Sequence, residues 1–309
     1  NACSGDGGDP QLSHPTPPDA AAIFRSLKTK AKAEHGGNTQ GLLVVYATES
    51  FLRRLTLSPY ADRLILKGGM LMAANEIRQM TKDGDLSARG IDNDPGSVAR
   101  VVSSILRLTP IPPDGIDFDA ENIRVAAMQE GASYHGVRCR TTARLDQAEI
   151  PLSLDISFGE AGSFEPLTID SVAGHSSITV GAYPLTLNLA EKAVTAMQRG
   201  RTNTRDRDFA DLWVASSIHE VVAAELRQHL AMVSKHRGQA LVPFSQATQQ
   251  LPDRQLSYAA MVERMSYLAP PPERWVDVLA GVEEFLDPLI ADTDAKLSHW
   301  SPIRRRWSS

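Results

Sequence analysis

Residues 64–86 read LILKGGMLMAANEIRQMTKDGDL, and the pattern in this stretch constrains the fold class more than any other. Leu64-Ile65-Leu66 is a short apolar run that fits a buried strand, and it leads straight into Lys67-Gly68-Gly69. Two glycines at a strand-to-helix junction let backbone N–H groups approach a phosphate, and a helix N-terminus favours negative charge. A plain glycine turn fits the same residues. A helix is predicted over 70–80, and then comes Asp83-Gly84-Asp85. Carboxylates at i and i+2 on a strand point the same way, the spacing needed to hold divalent cations from one side. A solvated acidic turn beside Gly84 is the competing reading. A calcium loop is excluded, because Ala88 stands where its sixth-position glycine would be. A dehalogenase-type phosphatase is excluded too, since Arg78 to Lys82 is no buried apolar strand and Ser87 follows Leu86. No Walker A motif occurs.

Outward from this stretch, residues 1–18 are polar and rich in Gly and Pro, and read as a flexible arm. Asp19 fits an N-cap for a helix that ends at Gly36-Gly37, and Asn38 or Thr39 caps a second helical pattern over 41–55. On the other side, 96–108 reads as a helix. Segments 121–129, 134–146 and 151–158 alternate like strands. Arg138, Arg140 and Arg144 share one parity in the second of these. In the third, Asp155 sits among apolar neighbours, where a carboxylate must bind metal or be paired. From residue 184 onward the pattern is helical: 186–200, 205–218, 220–235, 257–268 and 273–290. The expected organisation is an α/β domain over 19–180, a C-terminal helical domain over 181–300, and a loose basic tail over 301–309. Leu189-Ala190-Glu191-Lys192 opens a helix that carries Lys192 and Arg199 on one face. Four arginines then fall within nine residues (199, 201, 205 and 207), interleaved with Asp206, Asp208 and Asp211. They suit phosphate contacts, pairing with the aspartates, or both.

The chain has 309 residues, 42% of them hydrophobic, and a net charge of −5. That suffices for a real core without staples. Two cysteines, Cys3 and Cys139, exclude a disulfide scaffold and a four-cysteine zinc site. The histidines are scattered singly, and no G-x-S-x-G elbow supports a serine hydrolase. No uninterrupted apolar stretch approaches membrane-span length, so a cytoplasmic protein is expected. The mild negative charge argues against a protein that coats nucleic acid but allows a local basic groove.

Read in order, Lys67-Gly68-Gly69, Arg78 to Asp85, Asp155 to Gly159, Tyr183-Pro184, Glu191-Lys192 and Arg207-Asp208-Phe209-Ala210-Asp211-Leu212 resemble the AbiEii family of nucleotidyltransferase toxins. That family includes the MenT toxins of mycobacteria and has a polymerase-β-like nucleotidyltransferase fold. The resemblance implies an α+β fold with a nucleotidyltransferase-type mixed sheet, flanking helices and a C-terminal helical domain. It also implies NMP transfer from an NTP to the 3′ end of tRNA, blocking translation, with a cognate antitoxin as partner. Under it, Asp83 and Asp85 hold Mg²⁺ or Mn²⁺, with Asp155 as a further ligand or base. Lys67, Gly68, Gly69 and Thr81 bind the nucleotide, and Lys192 neutralises the leaving pyrophosphate. At least one of Asp208 and Asp211 lies in the active site. The arginines at 138, 140, 144, 199, 201 and 205 are expected to grip the RNA backbone. Lys192→Ala is expected to harm catalysis more than folding, and a monomer is expected. Two other readings stay open: a kinase-like phosphotransferase acting on protein or small-molecule hydroxyls, and an inactive nucleotide-binding scaffold.

Overall fold

A computed structural model describes residues 19–78, 83–130, 133–158, 162–265, 267, 269–291 and 296–309. The arm at 1–18, Thr81 and Gly159 lie outside them. Asp19 caps α1 (Ala20–Glu34) by accepting the Ala21 N–H at 3.0 Å, and Asn38 caps α2 (Thr39–Thr56) through the Gly41 N–H at 2.9 Å. β1 (Leu64–Lys67) runs directly into α3 (Gly68–Ala74). α3 is shorter than the helix expected over 70–80. Glu76 enters the left-handed region at φ 57°, and the Ile77 N–H returns to the Met72 carbonyl, which closes the helix end. β2 (Gly84–Ala88) carries Asp85. α4 (Pro95–Leu106) starts with proline in its first turn and is capped by Asp94.

Six more strands complete one mixed sheet: β3 (Asp117–Phe118), β4 (Arg124–Glu130), β5 (Ser133–Leu145), β6 (Ala148–Phe158), β7 (Glu165–Ile169) and β8 (Ile178–Ala182). Its order is β3-β5-β6-β2-β1-β8-β7, with β4 also pairing β5. The β2–β6 and β1–β8 pairs are parallel and the others antiparallel. α1, α2 and α4 cover one face, where Leu66, Leu86, Leu154, Ile156, Val137 and Cys139 join their apolar residues in one buried cluster.

The C-terminal part is built on α5 (Leu185–Arg199), α6 (Asp206–Ile218), α7 (Ala223–Arg237), α8 (Phe244–Thr248), α9 (Gln255–Arg264) and α10 (Trp275–Ala291). Its apolar cluster takes in Ile65, Met72 and Ile77, so this helical layer meets the sheet from the opposite face at β1. Alternation along β1 separates the two clusters, with Leu64 and Leu66 facing one and Ile65 the other.

The expectation of a loose tail is overturned. β9 (Val221–Val222), β10 (His299–Ser301) and β11 (Arg306–Trp307) form a small antiparallel sheet. The Trp307 indole donates to the Phe285 carbonyl at 2.8 Å and stacks on the Phe285 ring, with centroids 5.6 Å apart. Arg305 lies over Trp213 at 4.9 Å. The basic ending is thus anchored through Trp307, which packs on the fully buried Trp300 at 5.5 Å. No described helix is long and apolar enough to cross a membrane.

Candidate active site

Four strands contribute one residue each to a row across the sheet. Register pairs Lys67 with Asp85, Asp85 with Asp155, and Asp155 with Arg138. Laterally paired residues project to the same face. That face is the one opposite α1, α2 and α4, since residues of the other parity fill their cluster. Two carboxylates are therefore held side by side, with a cation at each end of the row. Asp83 stands two residues before Asp85, and the Arg138 guanidinium acts electrostatically on Asp83 and Asp85 as well as on Asp155.

The glycine junction determines how Asp85 sits. Gly68 has φ 62°, and a Cβ there would fall 2.1 Å from Asp85 Oδ2, so only glycine fits. The Gly69 N–H donates to the same oxygen at 3.0 Å. The Gly68 N–H donates to Asn188 Oδ1 at 3.1 Å, and the Asn188 amide donates back to the Gly68 carbonyl at 3.3 Å. Both glycine N–H groups are thus engaged within the protein. Burial raises the Asp85 pKa; the Gly69 hydrogen bond and Lys67 oppose this, while Asp155 adds to it.

A second ionic network lies on α5 and α6. Lys67 Nζ meets Glu191 at 3.2 Å and stands 5.6 Å from the Tyr183 ring centroid. Arg237 reaches Glu191 at 3.9 Å and donates to Thr195 at 2.6 Å. Lys192 Nζ lies 2.7 Å from Asp208 and 2.9 Å from Asp211, and Arg78 lies 3.7 Å from Asp211. Burial alone would lower the Lys192 pKa, but Asp208 and Asp211 outweigh it and hold the ammonium above its usual range. Asp208 is correspondingly held low: burial opposes its charge and Lys192 overcomes that.

The family model described as "Nucleotidyl transferase AbiEii toxin, Type IV TA system" matches residues 50–287. The chain belongs to the AbiEii family. It is a nucleotidyltransferase, and this family's chemistry implies a nucleoside triphosphate substrate, usually a divalent metal, and an antitoxin partner. Two solved structures from Helicobacter pylori are similar to it. One, a candidate nucleotidyltransferase, has TM-score 0.48 at 16% identity, over 83% of this chain and 98% of its own. The other, JHP933, has TM-score 0.49 at 14% identity, over 82% and 94%. No curated protein matches the chain.

In this AbiEii-family chain the expected residues fall into two groups. Asp85, Asp155, Lys67, Gly68 and Gly69 meet at the sheet row, whereas Lys192, Asp208 and Asp211 meet between α5 and α6. Lys192 also acts electrostatically on Asp85, so the groups are neighbours. Asp155 is paired, as its apolar setting requires: Arg138 Nε and Nη2 reach its two oxygens at 2.6 and 2.5 Å. Of the arginines expected at the RNA, Arg138 is the one that pairs with Asp155. Arg140 and Arg144 are exposed on the acid-bearing face of β5, and Arg144 lies 3.6 Å from Glu149. Arg199 ends α5, Arg201 is exposed in the turn after it, and Arg205 sits 3.8 Å from Asp208.

Sequence reading passed over Asn188, and it named Glu191 and Arg78 as motif members without giving either a role. Helical spacing carries the signal for the first two: Asn188, Glu191 and Lys192 fall at i, i+3 and i+4 on one face of α5. Arg78, which opens the motif that ends at Asp85, also makes an isolated bridge with Tyr267, far off in sequence.

Proposed function

We propose that the chain transfers a nucleoside monophosphate from a triphosphate to the 3′ end of tRNA, and that this arrests translation until an antitoxin intervenes. The adjacency of Asp85 and Asp155 across β2 and β6, with Asp83 two residues away, carries this reading. In the transfer, an acceptor hydroxyl oxygen bonds to the α-phosphorus. The α–β bridging bond breaks, pyrophosphate leaves, and the hydroxyl proton passes to a carboxylate of the row.

The donor set fits Mg²⁺. Among the described residues no three His, Cys, Asp or Glu side chains form a ready cage. Magnesium is commonly held by only one or two carboxylates plus substrate phosphates, and Asp83 and Asp85 supply two hard oxygen donors. When bound, the ion supplies charge neutralisation on the triphosphate. Asp85 is oriented for that task by Gly69, and Gly69 by the tight passage of Gly68 beside the carboxylate. Lys67 and Lys192 bring positive charge to the same side and favour the departing pyrophosphate. Arg140, Arg144, Arg199, Arg201 and Arg205 offer phosphate contacts for the RNA strand.

The test is incubation with total tRNA, Mg²⁺ and each α-phosphate-labelled triphosphate in turn. Label on tRNA that disappears in Asp83→Ala is the expected result, and it names the nucleotide. Release of nucleoside diphosphate instead of pyrophosphate would turn the assignment to phosphoryl transfer.

A further inference from the structure

The Arg138–Asp155 pair closes one end of the carboxylate row. Both oxygens of Asp155 are taken by one guanidinium in a bidentate fork, the strongest geometry available to such a pair. The fork is partly shielded, with side-chain exposures of 36% for Arg138 and 16% for Asp155. Register fixes it, because Arg138 and Asp155 are direct partners on β5 and β6. On the other flank of Asp155, Asp85 is its direct partner on β2, so the two carboxylates repel at close range. Arg138 relieves that repulsion from one side, and its charge is also felt at Asp83 and Asp85.

The remaining donor inventory is small. Asp85 Oδ2 accepts from Gly69, its Oδ1 is a second hard donor, and Asp83 adds its carboxylate. A site with two metal ions uses carboxylates that bridge or flank both. Here the third carboxylate is already neutralised by a charge that is part of the chain. We propose that Arg138 is a built-in second cation: the site takes one divalent ion at Asp83 and Asp85, and the Arg138 guanidinium holds Asp155 in place of another. This rests on the reading above that Asp83 and Asp85 hold the metal. Arg138 is thereby a positioning residue that sets metal stoichiometry.

The experiment counts Mn²⁺ bound to the full chain, without nucleotide or RNA, by electron paramagnetic resonance of the free ion during titration. The wild-type chain is expected to bind one Mn²⁺. Arg138→Gln, which keeps length and polarity but loses the charge, is expected to bind two, and the second is lost again in Arg138→Gln/Asp155→Asn. Arg138→Lys keeps a positive charge on the flank of Asp155 and is expected to stay at one, which separates charge from mere disruption of β5. Circular dichroism checks that each variant is folded; if Arg138→Gln does not fold, Asp155→Asn alone decides, because one ion must remain without that carboxylate. Two ions in the wild-type chain, or one in a folded Arg138→Gln, would overturn the inference while leaving the metal at Asp83 and Asp85 intact. No ion in the wild-type chain, or binding unchanged in Asp85→Asn, would overturn the metal reading itself.

Discussion

Gly68 passes so close to Asp85 that a methyl group at its Cα would lie 2.1 Å from the carboxylate oxygen. The contact couples a turn to a functional side chain: the backbone that reverses at the β1–α3 junction also forms the wall against which Asp85 rests. Gly36 is a natural control, since its φ of 58° is nearly the same but a methyl group at its Cα would have nothing within 4 Å.

Gly36→Ala should therefore cost only the left-handed strain, roughly 1–2 kcal/mol, with transfer activity kept. Gly68→Ala carries the same strain and also displaces Asp85. A displacement of about 1 Å at a reacting group lowers rates by about 10²-fold, and that is the loss expected in a tRNA-labelling assay. Equal activity in the two variants would show that the close approach has no bearing on the reaction.

The sequence alone points to Lys192 as mattering more for catalysis than for folding, and its surroundings give it a structural role as well. Its ammonium is shared by Asp208 and Asp211, both buried. Lys192→Met leaves two buried carboxylates, with Arg78 3.7 Å from Asp211. Removing one member of a buried ionic group typically costs roughly 3–5 kcal/mol, so a large drop in the urea midpoint is expected. Lys192→Met/Asp208→Asn should recover part of it. A loss below about 1 kcal/mol in Lys192→Met would mean that the network contributes little to the fold.

The elements that sequence reveals most accurately are those whose signal is local. The helices at α1 and α2 announce themselves through Asp19 and Asn38 caps, and α4 through the helical pattern over 96–108. β5 and β6 are legible because parity sorts Arg138, Arg140 and Arg144 from Val137, Cys139 and Ala143. β7 and β8 are not, because Glu165–Ile169 and Ile178–Ala182 are short and owe their sheet position to distant partners. The same limit applies at the site. Asp83 and Asp85 stand out as a motif, but the pairing of Asp155 with Arg138 depends on strand register. The Trp307 dock likewise depends on a contact with Phe285, twenty-two positions earlier.

His229 makes stability depend on pH. It is buried beside Thr186, whose hydroxyl donates to Glu225 at 2.6 Å and meets His229 Nδ1 at 2.9 Å. With the hydroxyl proton committed to Glu225, Nδ1 must carry the ring proton and donate. Burial lowers the His229 pKa, and Glu225 only partly opposes this. The folded pKa is thus below the unfolded value of about 6.5, and the unfolded state binds more protons between the two. Stability from this group is fully present above about pH 6.5 and is lost as pH falls through the folded pKa. Thermal melts at pH 7.5 and 5.5 should show a smaller drop on acidification for His229→Gln than for the wild-type chain. An identical drop would exclude His229 as the source.

The C-terminal strand is a structural part of the helical layer, and its removal should be felt there. Trp300 is fully buried, and its ring meets Phe285 at 5.0 Å and Trp307 at 5.5 Å. Trp307 covers this pair while its indole N–H satisfies the Phe285 carbonyl. Truncating a fully buried Trp to Ala costs roughly 3–5 kcal/mol, and Trp307 is only half-buried, so about 2 kcal/mol is expected for Trp307→Ala. Trp307→Phe keeps the stacking but not the indole donor, and should lose about 1 kcal/mol, the worth of one hydrogen bond. Chemical denaturation separates the two, and the ordering is the decisive feature. If both variants matched the wild-type midpoint, the small sheet would be decoration, and the basic ending would again be a free tail.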